Sequence, residues 1–466
     1  MDSSANATGG DFARVRADFD LPDQFPPAAL TEAEKAVSDG PRGSRVDATD
    51  IPFVTIDPPG AKDLDQALCL SRLEGGYRLH YAIADLGAFL VPDGALDTVA
   101  RERGQTMYLP DGNVPLHPTV LSEGAASLLP DERRAAALWT IDLDTEGQPV
   151  SADVKRAWIR SVAQFDYATV QADIDAGREH PSVTLLPEVG SLRRSLAIKR
   201  GAVELQLPEQ DVDKDGDTWG LVLRTRTAVD AWNAELSLLT GMCAAQIMLR
   251  AKVGVLRTLP PADDNAVEWL HRSAAALGIE WPPSTSTAEL LAGLDPADPA
   301  ALALFMDATR LLRGAGYTVF DGDLPELVTH AGIAAAYAHV TAPLRRLVDR
   351  FGTEICLAVC AGEPVADWVR AALPALPGLM ESSDTLAAKV DRASLDQVEA
   401  WVLADQVGAE FDAVVLRAEA TVAEIFIPTP PVLAKAAGEG LREGESVRVR
   451  LTAVDPVRRR VAFERA

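Results

Sequence analysis

The sequence predicts an α+β protein in which strands come first, helices follow, and a small all-β unit ends the chain. Apolar runs and period-two alternation dominate residues 51–163, whereas apolar residues at helical spacing dominate residues 167–372. Residues 406–466 return to period-two alternation, in two blocks separated by an insert that carries proline and glycine. Because the strands and helices do not alternate, an α+β body is favoured over a doubly wound parallel sheet.

Composition is typical of a soluble globular protein. The chain has 466 residues, 47% hydrophobic and 24% charged, which is enough for roughly two to four domains. Charges interrupt its apolar runs well before the ~18–20 residues that a membrane-spanning helix needs, and the first residues lack the pattern of a secretory signal. The four cysteines form no CxxC pair, so we expect a reducing, cytoplasmic location.

The formal net charge of −25 argues against non-specific nucleic-acid binding by the whole surface. The charge is uneven, because residues 408–466 carry nine acidic and nine basic side chains. The last nineteen residues alone carry six arginines against two acids. A polyanionic ligand would therefore have to be bound by local basic patches.

Residues 1–50 are polar and rich in Pro and Gly, and they predict a short lead-in with one helix at 30–37. In the strand-rich part we expect a strand at 51–56, a hairpin around Gly75-Gly76, and strands within 138–144 and 157–163. Helical spacing predicts helices at 94–104, 167–177, 190–201, 227–250, 266–277, 299–312, 343–361 and 365–372. The tail predicts about five short strands.

The loop after the strand at 51–56 carries three carboxylates, Asp57, Asp63 and Asp65, around the sequence Pro-Pro-Gly. Such a loop cannot be a solvated helix face, and carboxylates brought together there would repel one another unless a cation lay among them. Oxygen-only ligands suit a hard cation such as Mg²⁺ or Mn²⁺. Aspartates are also common at strand ends and turns, so both interpretations stay open on the residues alone.

Six segments of the chain, in the same order, resemble the ribonuclease II and ribonuclease R family, whose shared unit is the RNB domain. They are TIDPPGAKDLDQAL, HYAIAD, GALDTVARERGQTMYLPDGNVPL, KRGAVEL, NAELSLLTGMCAAQ and YAHVTAPLRRLVD. The resemblance implies a catalytic domain at 51–400, preceded by the lead-in at 1–50. Those fifty residues leave no room for the two cold-shock barrels typical of the family, so we expect a more open path for RNA.

The tail, residues 406–466, resembles the OB-fold RNA-binding domain of the ribosomal-protein S-one type. In that type a barrel face binds single strands, and its basic final hairpin makes Arg448 and Arg450 candidate RNA contacts. The alternative is a small barrel that only packs on the main body.

The family resemblance implies a processive 3′-to-5′ exoribonuclease that hydrolyses single-stranded RNA to nucleoside 5′-monophosphates with Mg²⁺, for which Mn²⁺ is an alternative. It implies that Asp57, Asp63 and Asp65 hold the metal, and that Arg345 binds the scissile phosphate beside the catalytic Asp63 and Asp65. We expect a monomer whose partner is RNA, and no protein partner can be inferred. Two alternatives stay open: a catalytically weakened RNA-binding protein on the same scaffold, and a hydrolase of another phosphate ester.

Further RNA contacts follow from the same resemblance. Tyr108 matches the tyrosine that stacks on the last nucleotide and fixes the length of the end product. Tyr167 and Glu235 fall where the family contacts the region of the ribose 2′-hydroxyl. His339 and Arg346 adjoin the segment that carries Arg345. Without the family, Tyr167 and Glu235 would be interpreted as helix packing residues.

Some positions depart from the family pattern. Gln66 stands where the family usually has a fourth carboxylate, and an uncharged amide implies weaker metal binding or more help from substrate oxygens. Leu205 stands where a second stacking aromatic is usual. Ala342 and Leu347 replace a serine and an aromatic around the arginine pair.

Overall fold

The structure is a computed structural model that describes residues 10–216, 218–224 and 226–466, together with the backbone of residues 7–8. Residues 1–6 and 9 of the predicted lead-in, 1–50, lie outside the described residues.

Strands and helices follow one another in the order expected of an α+β body. The strands are β1 Ala7–Thr8, β2 Val46–Asp47, β3 Phe53–Ile56, β4 Gln66–Leu73, β5 Gly76–Ala84, β6 Arg133–Leu143, β7 Pro149–Phe165, β8 Gln210–Asp215, β9 Thr218–Leu223, β10 Val253–Thr258, β11 Gly316–Asp321, β12 Glu410–Ala418, β13 Val422–Pro428, β14 Pro431–Ala437, β15 Ser446–Asp455 and β16 Arg460–Arg465. The helices are α1 Ala13–Asp18, α2 Pro27–Asp39, α3 Ala95–Arg103, α4 Tyr167–Asp175, α5 Leu186–Arg200, α6 Ala228–Ala251, α7 Asp264–Ala276, α8 Thr287–Gly293, α9 Pro299–Ala308, α10 Leu347–Ala361, α11 Asp367–Ala372 and α12 Leu376–Leu403.

The first large sheet has the strand order β2-β7-β3-β4-β5-β6, and an additional pairing of β6 with β7 closes a ring. Both faces of the sheet are buried, so alternate residues of β5 enter different cores: Tyr81 and Ile83 pack with α6 and α10, and Ala82 and Ala84 pack with α2 and α3. The tight β4–β5 turn requires glycine, since a Cβ on Gly76 would lie 2.0 Å from the Leu143 carbonyl oxygen.

Helix α6 is buried on nearly every side, between the sheet and helices α5 and α10. A capping box joins Thr227 and Asp230 at its start, and Lys252 ends it in the left-handed region at φ 56°. The chain then enters β10, which pairs with β11 in an antiparallel ribbon. Neither this ribbon nor the β8–β9 hairpin was predicted, because the short strands lie between long helical segments.

The longest helix, α12, was not predicted either. Its buried face includes Ser383, Ser394, Gln397 and Glu399, so the apolar stripe that marks a helix in a sequence is broken by polar residues. The predicted helix at 343–361 is wrong at its start, because α10 begins only at Leu347. Residues 343–345 form a turn instead, and Arg346 follows it in extended backbone that pairs with Gln105.

The tail folds as a closed five-stranded barrel in the order β12-β13-β14-β16-β15, which confirms the predicted all-β unit. Leu302 of α9 packs on Leu416 and Phe426 of this C-terminal barrel. Helix α12 also contacts it, so the C-terminal barrel is packed against the main body.

Among the helices in the described part of the chain, none combines the length and hydropathy that crossing a bilayer requires.

Replacing Asp97 with Asn should destabilise the fold. Asp97 on α3 and Arg350 on α10 form a fully buried ion pair with Nη1 2.6 Å from Oδ1. Asp97→Asn leaves the guanidinium without its counter-charge, and we expect a loss of about 3–5 kcal/mol in the free energy of unfolding, measured by urea denaturation. The matched control is Asp39→Asn, whose exposed pair with Lys35 should contribute less than about 1 kcal/mol. Equal effects of both substitutions would contradict the prediction.

Candidate functional site

The candidate site is built around the loop that joins β3 to β4. The amide of Asp57 donates to the Phe165 carbonyl at 3.0 Å, which ties the start of the loop to the end of β7. Leu64 is completely buried, and its amide donates to the Ser127 hydroxyl at 2.9 Å. Asp63 and Asp65, on either side of Leu64, instead contact Tyr108 and the segment that carries Leu344 and Arg345.

Asp65 is the most deeply buried of the three loop carboxylates, with 4% of the residue exposed. The Leu344 amide donates to its Oδ1 at 2.8 Å, and the Arg345 Nε lies 3.4 Å from its Oδ2. Burial raises the pKa of Asp65 to about 8, although the nearby Arg345 guanidinium opposes that shift. A charged carboxylate is therefore costly here without further positive charge.

The ionised form of Asp57 is also disfavoured by burial. Its Oδ2 atom is buried and has no hydrogen-bond partner among the described residues. Burial, together with repulsion from Asp63, raises the pKa of Asp57 to about 7. Asp63 itself accepts a hydrogen bond from the Tyr108 hydroxyl at 3.0 Å.

The turn at 342–346 presents Arg345 to the loop. Asp349, in the first turn of α10, accepts from the Ala342 amide at 2.7 Å and from Arg346 Nη2 at 2.9 Å. These bonds fix the turn so that the Leu344 amide and the Arg345 side chain both face Asp65. The Arg345 side chain is 48% exposed, whereas Arg346 is held by Asp349 behind the turn.

Tyr108 reaches the site because its segment lies beside the arginine turn. The Thr106 amide donates to the Arg345 carbonyl at 3.0 Å, and Gln105 forms an isolated β-bridge with Arg346. Tyr108 remains 46% exposed at the rim of the site. Burial of the hydroxyl and the charge of Asp63 raise its pKa.

Gln66 begins β4 directly after Asp65, but its amide oxygen is already occupied. It accepts hydrogen bonds from the Tyr81 hydroxyl and from the Ser237 hydroxyl, the latter at 3.1 Å. The same two hydroxyls lie 2.8 Å apart. The amide oxygen thus joins β4, β5 and α6, and it could bind a cation only by giving up these bonds.

Tyr167 and Glu235 are placed differently. The Tyr167 hydroxyl lies 3.4 Å from Asn233 Nδ2. Burial raises the pKa of Tyr167, and the negative charge of Asp57 adds to that rise. Glu235 is buried near the α5 residues Arg193 and Arg200, whose charges partly oppose the rise in its pKa caused by burial. Residues 233 and 235 lie on different faces of α6. Asn233 faces Tyr167, which borders the loop near Asp57, whereas Glu235 faces α5.

His339, Arg448 and Arg450 lie outside this group. His339 Nδ1 is 2.8 Å from the Tyr317 hydroxyl, and burial keeps its pKa well below the usual value. On the C-terminal barrel, Arg448 pairs with Asp412 at 3.2 Å and Arg450 with Glu410 at 2.8 Å. Both arginine side chains are nevertheless about half exposed, at 55% and 46%.

The structure thus brings Asp57, Asp63, Asp65, Tyr108 and Arg345 together. Three supporting residues were not predicted from the sequence: Asp349 holds the turn that carries Arg345, and Tyr81 and Ser237 bond to Gln66 beside Asp65. Asp349 and Ser237 lie in segments already noted, YAHVTAPLRRLVD and NAELSLLTGMCAAQ, but neither has a pattern that reveals its partner.

The residues fit a hard cation in their chemistry. The donors are carboxylate oxygens, and one of them, on Asp57, is buried without a partner among the described residues. Burial makes the ionised forms of Asp57 and Asp65 unfavourable without added positive charge. The Asp63 side chain is bonded to Tyr108, and the Asp65 side chain to the Leu344 amide and to Arg345. Within the described ranges, no three acidic, histidine or cysteine side chains are grouped closely enough to hold an ion. Water or substrate oxygens would complete the ligand set.

Comparison with known proteins identifies two family models. The RNB domain matches residues 45–355, and the RNase II-type exonuclease C-terminal S1 domain matches residues 409–466.

Two curated relatives show the extent of the similarity. Ribonuclease R of Escherichia coli (strain K12) is 30% identical over 334 residues, which cover 68% of this chain and 40% of that protein. The protein named inactive exonuclease DIS3L2 of Arabidopsis thaliana is 28% identical over 361 residues, covering 70% of this chain and 34% of that protein. The chain therefore spans less than half the length of either relative.

Solved structures share the fold. The apo form of Mycoplasma genitalium RNase R has a TM-score of 0.87 at 19% identity, covering 98% of this chain and 77% of that one. Yeast Ssd1, described as a pseudonuclease, has a TM-score of 0.70 at 15% identity, covering 92% of this chain and 54% of that one.

The raised carboxyl pKa values predict how metal-free stability depends on pH. In the folded chain Asp57 and Asp65 keep their protons up to about 7 and 8, while the ordinary value is 3.8. The folded state therefore binds more protons between these values, so its free energy of unfolding should fall as pH rises from about 5 to 8. Added Mg²⁺ should stabilise the protein more at the higher pH. Melting temperatures in EDTA and in Mg²⁺ measure both effects.

Asp57→Asn is the matched control, because a neutral amide at that position cannot titrate. It should flatten the decline in EDTA and reduce the stabilisation by Mg²⁺. A wild-type melting temperature in EDTA that stays level or rises over this pH range would contradict the assignment.

Proposed function

Because the chain belongs to the RNB-domain family, we propose that it is a 3′-to-5′ exoribonuclease that hydrolyses single-stranded RNA to nucleoside 5′-monophosphates. The observation that carries the proposal is the meeting of the Asp57–Asp65 loop, Tyr108 and Arg345 at one site. A carboxylate cluster, a half-exposed guanidinium and a rim aromatic are the groups that hydrolysis of a terminal phosphodiester needs.

In this proposal, Asp57, Asp63 and Asp65 would hold Mg²⁺ together with water or substrate oxygens, directly or through bound water. When bound there, the metal would supply an activated water and neutralise charge on the phosphate. Arg345 binds the scissile phosphate through its exposed guanidinium, and substrate binding exchanges part of its contact with Asp65 for phosphate oxygens. The Leu344 amide keeps Asp65 oriented during that exchange.

Tyr108 provides the stacking surface for the terminal base. Its hydroxyl bond to Asp63 fixes the ring at the rim, so the base and the scissile phosphate are positioned by connected residues. Tyr167, beside Asp57, is suited to contact the ribose. These contacts favour a short end product and discrimination by the 2′-hydroxyl.

Glu235, His339 and Arg346 stay predictions as RNA contacts. Arg346 is bound to Asp349 and His339 to Tyr317, which supports positioning of the turn in the first case and packing in the second. We propose the protein as a monomer that binds RNA through the main body and the C-terminal barrel.

A catalytically weakened RNA-binding protein is the second candidate. Gln66 favours it, because its amide oxygen holds Tyr81 and Ser237 and adds no charge to the site. The relatives named as an inactive exonuclease and as a pseudonuclease share this scaffold. Asp57, Asp63, Asp65 and Arg345 are all present, which supports the active enzyme.

Labelled single-stranded RNA distinguishes the two candidates. With Mg²⁺, 5′-labelled RNA should shorten progressively from its 3′ end, and EDTA should stop the reaction. Asp65→Asn keeps the shape of the side chain but removes its charge, so we expect a loss of at least about a hundredfold in rate with RNA still bound.

The matched control is Asp50→Asn, an exposed aspartate in the segment before β3, which should retain full activity. RNA bound by the wild type but never shortened would overturn the nuclease proposal. Cleavage that persists in Asp65→Asn would overturn the assignment of the site.

The C-terminal barrel has its own test. Replacing Arg448 and Arg450 together by Ala should weaken RNA binding and lower the slope of log affinity against log salt, by about 0.7 for each phosphate that is no longer neutralised. Arg72→Ala is the matched control, because Arg72 is also an exposed arginine in an ion pair, with Glu188. Filter binding at several salt concentrations measures both. An unchanged slope would show that the two arginines serve only the ion pairs within the barrel.

A further inference from the structure

The segment 10–18, which holds Gly10, Phe12, Arg16 and Asp18 and is called here the lead-in clamp, contacts three separate parts of the molecule. We propose that the lead-in clamp is a positioning element for the reaction, which holds the loop 107–114 so that Tyr108 stays aligned with the carboxylates. The inference rests on the proposed function, because it gives Tyr108 a role in binding the terminal nucleotide.

One side of the lead-in clamp is anchored in apolar packing. Phe12 is completely buried, and its ring meets those of Trp219 on β9 and Trp401 on α12 edge-on, each with ring centres 5.3 Å apart. Trp219 Nε1 also donates to the Gly10 carbonyl at 3.1 Å. This side cannot shift without opening the core between β9 and α12.

The other side binds the tip of the 107–114 loop. Arg16 Nη1 donates to Asp111 Oδ2 at 2.9 Å, and Arg16 Nη2 donates to the Gly112 carbonyl at 2.9 Å. The Phe12 amide donates to the same carboxylate at 3.1 Å. A buried anchor and a two-pronged arginine therefore hold one loop tip.

The base of this loop is also fixed. Met107 and Val114 exchange backbone hydrogen bonds of 3.0 and 2.8 Å, and both pack in the same apolar cluster as Phe12. Leu109 enters that cluster with 6% exposure, while Tyr108, its neighbour, projects to the other side and bonds to Asp63. A displacement of Asp111 would therefore move the backbone only three residues from the stacking ring.

The same helix reaches the C-terminal barrel. Asp18 pairs with Arg459 at 2.6 Å, between the end of α1 and the β15–β16 turn. The lead-in clamp thus links the barrel that is proposed to bind RNA to the loop that is proposed to stack on its 3′ end.

If the lead-in clamp only stabilised the fold, its loss would act by lowering the stability of the whole protein. Substitution of Arg16 can distinguish that role from positioning of the 107–114 loop. The Arg16 and Asp111 side chains are 21% and 17% exposed, so their pair should contribute only a fraction of what the fully buried Arg350–Asp97 pair contributes to global stability. Arg16→Ala in the full chain should leave the melting temperature close to that of the wild type. It should accelerate amide hydrogen exchange in residues 107–114, raise the KM for short RNA roughly tenfold, and broaden the distribution of end-product lengths.

Arg16→Lys, which keeps one charged donor, should restore part of the effect, and Asp111→Asn should reproduce the loss from the loop side. Arg14→Ala is the matched control, an exposed arginine on the same helix with no ion pair or hydrogen bond among the described residues. Arg16→Ala with wild-type exchange, KM and product lengths would overturn the inference. A wild-type chain that does not shorten RNA would overturn the proposed function, and exchange in 107–114 would still decide whether the lead-in clamp holds the loop.

Discussion

The candidate site depends on one contact, between the buried carboxylate of Asp65 and the turn that carries Leu344 and Arg345. The two sides are far apart in the chain, and the contact joins the first sheet to the start of α10. Asp349 holds the turn, and Tyr108 reaches the site because its own segment pairs with that turn. The geometry of the site therefore depends on how the sheet, the turn and the 105–108 segment pack together.

The charges at this contact do not balance, because the loop has three carboxylates and is paired with one arginine in the described part of the chain. Burial opposes ionisation of Asp57 and Asp65, and within the described residues Arg345 is the one cation paired with the loop. Groups that are costly to ionise in the folded protein are common where a ligand supplies the missing charge.

Gln66 occupies the position where the family usually has a fourth carboxylate, but it has a different role. A carboxylate there would add a further negative charge beside Asp65, but the amide accepts from two hydroxyls and joins β4 to β5 and α6. The site thus has three carboxylates on a rigid support. In the proposal, phosphate oxygens of the substrate would supply more of the metal's ligands than they would at a site with a fourth carboxylate.

The sequence by itself predicted the order of strands and helices, the all-β tail and the acidic loop, because alternation, helical spacing and Pro-Gly turns are local properties. It did not reveal α12, whose buried face is partly polar, or the true start of α10, where Asp349 folds the preceding residues into a turn. The family resemblance implied that Arg345 lies beside Asp65, but only the tertiary structure showed their direct contact. It also showed that Glu235 faces α5 and that Arg448 and Arg450 pair with acids. Such contacts depend on distant residues meeting in space, and no local pattern encodes them.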